Sequence, residues 1–227
     1  MRNKNETGNS AEVTMTPKGM RTRIRLKECA RQEFGRLGSN NARVADIAKA
    51  AGVSHGTFYR YFDDKTDVRD ELLQDLLVDV AAFARASWTA EDPLHSVFVT
   101  TERYLAFYSE NQDLYRILIE VAQQEPQVKE MWSETRAIFY RRIGRMLTRA
   151  SEQGILREGL DPEIAAILLG GMTEHAAYLI FVAKQCEDWN LSTVSEQVSL
   201  LWESGAFELK RKEPDRLPAN ETDTLDE

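Results

Sequence analysis

The chain has 227 residues, 42% of them apolar and 29% charged, with two cysteines, three histidines, six prolines and a net charge of −8. That length supports one large or two modest domains with a real core, and the apolar share excludes a disordered chain. Two lone cysteines exclude a disulfide framework and a cysteine metal site. With an N-terminus that is charged rather than apolar, they set the expectation of a reducing, cytoplasmic setting.

Read globally, the acidic balance argues against nucleic acid, but the charge is unevenly placed. Residues 1–65 hold 13 Lys and Arg against 7 Asp and Glu, a net of +6. Residues 66–227 hold 16 against 30, a net of −14, and the two add to −8. A basic head on an acidic body is the distribution expected if only the head meets phosphates.

In chain order, residues 1–17 lack periodicity and read as a disordered arm. A helix is predicted from Lys18 to Leu37, with Leu26, Ala30, Phe34 and Leu37 on one face and Gly38 as its C-terminal stop. Two short helices follow, Val44–Ala51 and Ser54–Phe62. Asp64 reads as the N-cap of a long helix ending near Trp88. Asp92-Pro93 opens a helix to about Glu110, Asn111–Gln123 reads as another, and Pro126 starts one that stops at Gly154. Asp161-Pro162 starts the most apolar helix, and Ser192 or Thr193 caps the last, which ends near Leu209. Residues 210–227 read as a disordered tail. No stretch alternates with period two, so the fold class is all-α, with about nine helices. A helix-turn-helix domain spans 18–65 and a larger helical domain spans 66–209.

The chemistry concentrates in residues 44–62. Ile47, Ala48 and Ala51 supply a small apolar face for a close helix crossing. Gly52 stands where the chain leaves the first helix, and glycine accepts a left-handed turn. Ser54 can cap the second helix, and Val53 with Phe58 is placed as a hydrophobic staple. Phe58 with Tyr61 or Phe62 packs inward, which leaves His55, Gly56, Thr57, Tyr59 and Arg60 outward. Small residues, a tyrosine and one cation suit a major groove: Thr57 can meet a base methyl or a phosphate, and Arg60 a base edge or a phosphate. The plain alternative is a helical hairpin with a solvated face. Lys65, at the start of a helix, opposes the helix dipole unless a phosphate docks there. Arg43, before the first helix of the pair, is a similar candidate, and Lys18, Arg21, Arg23 and Arg25 could reach backbone or minor groove.

Phe34-Gly-Arg-Leu-Gly38, Val44-Ala-Asp-Ile-Ala48 and Ala51-Gly-Val-Ser-His-Gly-Thr-Phe-Tyr-Arg-Tyr-Phe-Asp-Asp-Lys65 together resemble the N-terminal domain of the TetR-type (tetracycline repressor-like) regulators, over roughly residues 20–68. The resemblance implies an all-helical cytoplasmic homodimer that binds a palindromic double-stranded operator, usually represses, and is released by a small ligand. On this reading the DNA-binding set is Arg43, Ser54, His55, Gly56, Thr57, Tyr59, Arg60, Tyr61 and Lys65. Members often carry Thr or Ser just before the second helix, where this chain has Ala42 and Arg43. Asn41 is the substitute cap, and Arg43 the substitute phosphate contact. Glu33 stands where an apolar residue is common.

Beyond residue 68 the likeness is architectural. The helix 162–184 is apolar nearly all round, which calls for burial on every side. In the next helix Val194, Val198, Leu201 and Trp202 form a stripe. Two such helices per subunit could close a four-helix interface, with Ile167, Gly171, Tyr178, Val198, Leu201 and Trp202 as candidates; the alternative is an intrachain core. Among the many aromatics of the middle helices, Tyr104, Tyr108, Trp132 and Phe139, with Met172 and His175, are candidates to line a pocket for a small apolar or amphipathic effector. Glu174 and His175 may equally face pocket, interface or core. Histidines at no metal-ligand spacing, and no phosphate loop or nucleophilic triad, lead to no catalytic residue, no metal and no cofactor. A membrane span over Ile164–Ala183 is disfavoured by Glu174, His175 and two glycines. The readings from other classes are an enzyme with an accessory helix-turn-helix and a ligand-independent nucleoid or interaction protein.

Overall fold

A computed structural model of the chain describes residues 15–83 and 93–207. The arm up to residue 14, the end of the fourth helix near Trp88, the cap at Asp92 and the tail from residue 208 lie outside the described residues. Those residues form nine helices: α1 (Pro17–Leu37), α2 (Val44–Ala50), α3 (His55–Phe58), α4 (Lys65–Phe83), α5 (Pro93–Glu110), α6 (Gln112–Ala122), α7 (Pro126–Glu152), α8 (Pro162–Phe181) and α9 (Leu191–Ala206). The all-α class read from the sequence holds, with a single antiparallel bridge, Leu156 to Phe207, as the extended pairing among them.

Helix ends follow side-chain chemistry. Thr16 accepts from Gly19 N–H at 3.2 Å and Pro17 takes the first helical position, so α1 starts one residue before Lys18. Asp161 accepts from the amides of Glu163 and Ile164, both at 2.9 Å, ahead of Pro162. Asn190, rather than Ser192 or Thr193, caps α9 by accepting from Thr193 N–H at 3.1 Å. After α7, Gly154 adopts φ +67° and the Ile155 amide donates to Ala150 O at 3.0 Å, the left-handed stop the sequence announces.

The helices gather into two compact units. The first holds the chain through Val80 together with Asn111–Ser133. There α1 packs on α2 and α6, and α2 on α3. Its core joins Leu26, Ala30 and Phe34 of α1 to Ile47, Phe58, Phe62, Val68, Leu73 and Leu118. Ion pairs lie around that core. Arg31 grips Asp113 through Nε and a terminal nitrogen, each at 2.8 Å, and Arg69 reaches Glu125 at 2.9 Å. Arg23 and Lys27 of α1 converge on Glu71 of α4, and Lys27 also pairs with Asp75. Burial opposes ionisation of Glu71, but hydrogen bonds from Arg23 and Lys27 outweigh it and hold the carboxyl below the usual range. Cys29 is half-buried, and burial pushes its thiol up.

The second unit holds Ala81–Glu110 and the chain from Glu134 on, with α5 packed on α8 and α9. The expectation that α8 is buried on every side is corrected here. Ala165, Ala166, Gly170, Thr173, Ala177, Ile180 and Phe181 face inward, but Ile164, Ile167 and Leu168 are 60%, 55% and 68% exposed. One chain supplies neighbours for only one side of the helix. The α9 stripe divides as well: Val194, Val198 and Trp202 are buried within the unit, while Leu200 and Leu201 are 51% and 56% exposed. Val198 and Trp202 are therefore core residues of the subunit, not interface residues.

Candidate nucleic-acid interface and effector cluster

The pair α2–α3 is shaped by local chemistry. Gly52 sits at φ +62°, and a Cβ there would lie 2.7 Å from the Arg25 guanidinium. Glycine thus serves both the turn and the close approach of an α1 arginine. Ser54 caps α3: its Oγ accepts from Thr57 N–H at 3.1 Å and shares a 2.8 Å hydrogen bond with the Thr57 hydroxyl. The regular helix covers only His55–Phe58, shorter than predicted. The turn continues through Tyr61 N–H to Phe58 O at 2.9 Å and Phe62 N–H to Phe58 O at 3.1 Å. Phe58 and Phe62 are buried, their ring centroids 5.6 Å apart, and they anchor the element from below.

The opposite side carries most of the predicted set. Arg43, Ser54, His55, Gly56, Tyr59 and Arg60 are exposed, and Thr57 and Tyr61 half-buried. The Tyr59 ring stands edge-on to His55 with centroids 5.1 Å apart, and half its surface is open. Arg43 is the N-cap residue of α2 but makes no capping bond with its side chain. Asn41 does not cap α2; its Nδ2 donates back to Leu37 O at 3.1 Å and closes the end of α1. Lys65 also departs from expectation. Its Nζ donates to Ser39 O, Asn40 O and Ala42 O at 3.0, 2.6 and 3.0 Å.

In the second unit the structure gathers Tyr104, Tyr108 and Phe139 of the predicted pocket residues. Tyr104 stacks on Phe139 at 6.0 Å and meets Tyr108 at 6.0 Å, and Tyr108 stacks on Phe181 at 5.8 Å. A polar knot adjoins them. Glu174 accepts from the Tyr140 hydroxyl at 2.7 Å and from Arg136 Nε at 3.0 Å, and Arg136 also donates to the Tyr140 oxygen at 3.0 Å. The knot depends on a missing side chain: a Cβ on Gly170 would lie 2.9 Å from the Tyr140 ring. Gly170 admits the ring, and Glu174, one turn along the same face, receives its hydroxyl. Burial pushes the Tyr140 phenol up to about 12, helped by its hydrogen bond to the Glu174 carboxylate. Burial, and then the Glu174 charge, also raise Tyr108. Arg136 went unmarked in the sequence; its i, i+4 spacing to Tyr140 was the available signal.

His175 does not join this cluster. It is exposed and stacks on Tyr178 at 6.0 Å, along the outer side of α8 with Ile164, Ile167, Leu168 and Gly171. Met172 is half-buried on α8, and Trp132 belongs to the first unit. Glu174 and His175, left open between pocket, interface and core, thus point to different surroundings.

Two family models match the chain. The model for bacterial regulatory proteins of the tetR family covers residues 28–72, and the model for the C-terminal domain of AefR-like transcriptional repressors covers residues 98–197. The chain is a TetR-type transcriptional regulator. The HTH-type transcriptional regulator YdgC of Bacillus subtilis (strain 168) is 29% identical over 166 residues, 71% of this chain and 82% of its own length. Two solved structures share the TetR-type fold. SmeT, the repressor of the Stenotrophomonas maltophilia multidrug efflux pump SmeDEF, aligns with TM-score 0.62 at 20% identity, covering 82% of this chain and 90% of its own. FadR from Bacillus subtilis in complex with stearoyl-CoA aligns with TM-score 0.60 at 21% identity, covering 80% and 98%. In this TetR-type chain, α2 and α3 are the helix-turn-helix, and the tetR-family match spans both.

Proposed function

We propose that this regulator is a repressor that binds a palindromic operator as a homodimer and leaves it when a small amphipathic molecule enters the second unit. The observation that carries the reading is the α3 face. His55, Gly56, Thr57, Tyr59 and Arg60 are presented outward by a capped turn whose buried side is fixed by Phe58 and Phe62. Such a face reads base edges, while Arg43 and neighbouring cations hold the phosphates. In a dimer two such faces meet successive major grooves, about 34–36 Å apart.

The dimer reading rests on the outer side of α8 and α9. Ile164, Ile167, Leu168, Leu200 and Leu201 form an apolar surface that a second copy would cover, with Gly171 and Tyr178 beside it. By length and composition α8 could cross a membrane. Its inward face and the Glu174 hydrogen bonds fit a soluble core helix better. The effector reading rests on Tyr104, Tyr108, Phe139 and Phe181 beside the Glu174 knot, an apolar wall with a few oriented polar groups. The FadR relative crystallised with stearoyl-CoA supports an amphipathic class. The effector must favour the subunit arrangement that mismatches DNA, because only differential affinity shifts the population. The chain acts by binding rather than by turnover.

The test is selection of genomic fragments by the full-length chain, followed by footprinting of the recovered site. Thr57→Ala and Tyr59→Ala are each expected to weaken binding to that site by about 1–3 kcal/mol while the dimer persists. Unchanged affinity in both would remove α3 from the interface.

A further inference from the structure

Lys65 occupies the position where a cation at a helix start suggests a docked phosphate, yet its ammonium is already engaged. An ammonium has three N–H donors and no acceptor. Ser39 O, Asn40 O and Ala42 O take all three, at 3.0, 2.6 and 3.0 Å. These carbonyls belong to the turn that joins α1 to α2, just past the negative end of the α1 dipole, where a cation is favoured. Two residues of that turn, Ser39 and Ala42, are buried. Carbonyls stripped of their donor there would carry a desolvation penalty.

The start of α4 is taken as well. Asp64 Oδ1 accepts from the amides of Thr66 and Asp67 at 2.6 and 2.9 Å, and Asp67 Oδ2 accepts from Asp63 N–H at 3.0 Å. Two carboxylates thus occupy the donors a phosphate would need and repel its charge. The turn that Lys65 holds is fastened elsewhere by Asn40 Nδ2 to Glu120 at 2.8 Å and by Ala42 N–H to Gly38 O at 3.2 Å. It delivers the chain to Arg43, exposed at the start of α2.

We propose that Lys65 is a positioning residue for DNA binding: it sets the 39–42 turn, and through it Arg43 and α2, and makes no phosphate contact of its own. This rests on the DNA-binding reading above. Loss of a phosphate contact lowers the dependence of log affinity on log salt by about one unit, whereas loss of positioning lowers affinity at an unchanged slope unless Arg43 itself is released.

The experiment measures affinity against salt for the full-length chain, using a duplex recovered by selection from a random-sequence library with the wild-type protein. If the wild type recovers and binds no duplex, the DNA-binding reading fails, independently of Lys65. Given binding, Lys65→Met is expected to lower affinity about tenfold with the wild-type slope, whereas Arg43→Ala lowers the slope by about one unit. Arg43→Ala is also expected to cost less in the Lys65→Met background than alone, because the two act in series. Lys65→Arg keeps the charge but cannot converge a planar fork on three carbonyls. It should lose affinity like Lys65→Met, and it carries the test alone should Lys65→Met not fold by circular dichroism. Wild-type affinity in Lys65→Arg, a slope reduced by about one in Lys65→Met, or additive losses in the double variant would each overturn the proposal.

Discussion

The two units solve opposite problems with opposite chemistry. The first surrounds its core with charge pairs: Arg31 to Asp113, Arg69 to Glu125, and Arg23 and Lys27 to Glu71. The second places one half-buried carboxylate, Glu174, among aromatic rings and leaves an apolar surface on α8 and α9 open. Charge pairs have directional geometry and fix helix against helix, which suits an element that must hold a reading face in register. Stacked rings adapt more readily, which suits a site meant to admit a molecule. The lesson is that rigidity and receptivity are set by the kind of contact, not by the amount of burial.

The hardest blow to the first half of that contrast is Phe58→Ala. It deletes a fully buried ring beneath the α3 face and should cost about 3–5 kcal/mol by urea unfolding, with DNA binding lost. A cost under about 1 kcal/mol would mean the core under α3 is not what fixes it. Leu201→Glu probes the open surface of the second unit. A charge buried without a partner costs about 3–5 kcal/mol, so sedimentation should show half the wild-type mass. A persistent dimer would place the interface elsewhere. Tyr140→Phe removes the hydroxyl on Glu174, a hydrogen bond to a charged group worth about 1.5–3 kcal/mol, and should lower thermal stability without disturbing operator affinity. Equal stability would make the knot incidental.

The smallest effect is in pH. The folded carboxyl of Glu71 is held low, so its stabilising share is fully present above the ordinary glutamate range. It fades as pH falls through the lowered value. Glu71→Gln should cost about 1 kcal/mol at pH 7 and flatten the acid limb of the stability curve. An acid limb identical to wild type would place the titration elsewhere.

Much of the first unit was legible because its signals are local. The Ser54 cap lies three residues from its amide, Gly52 takes the left-handed turn where it stands, and the Phe58–Phe62 pair repeats at helical spacing. Lys65 was misread because its carbonyls lie 23 to 26 residues earlier in the chain, and no helical period relates a side chain to a distant turn. Arg31 and Asp113, 82 residues apart, were invisible for the same reason. In α8 and α9 the apolar positions were found but their direction was not. An all-round apolar helix has no polar side to reveal which face the subunit keeps, so Val198 and Trp202 could not be told from Leu201. Glu174 was noticed, but the knot needed Arg136, Tyr140 and the bare Gly170 brought together by folding.

The Leu156–Phe207 bridge closes the described chain onto the α7–α8 connection. The Arg157 amide donates to Ala206 O at 2.9 Å, and its guanidinium donates to the carbonyls of Ser204 and Gly205. Whatever follows Phe207 therefore leaves from a clamped point rather than from a fraying helix end. A fluorophore attached by a short tether just beyond it would move with α9 and report on that helix as effector is added. Cutting the chain before Ala206 would instead unlatch Arg157 and set the α7–α8 connection free.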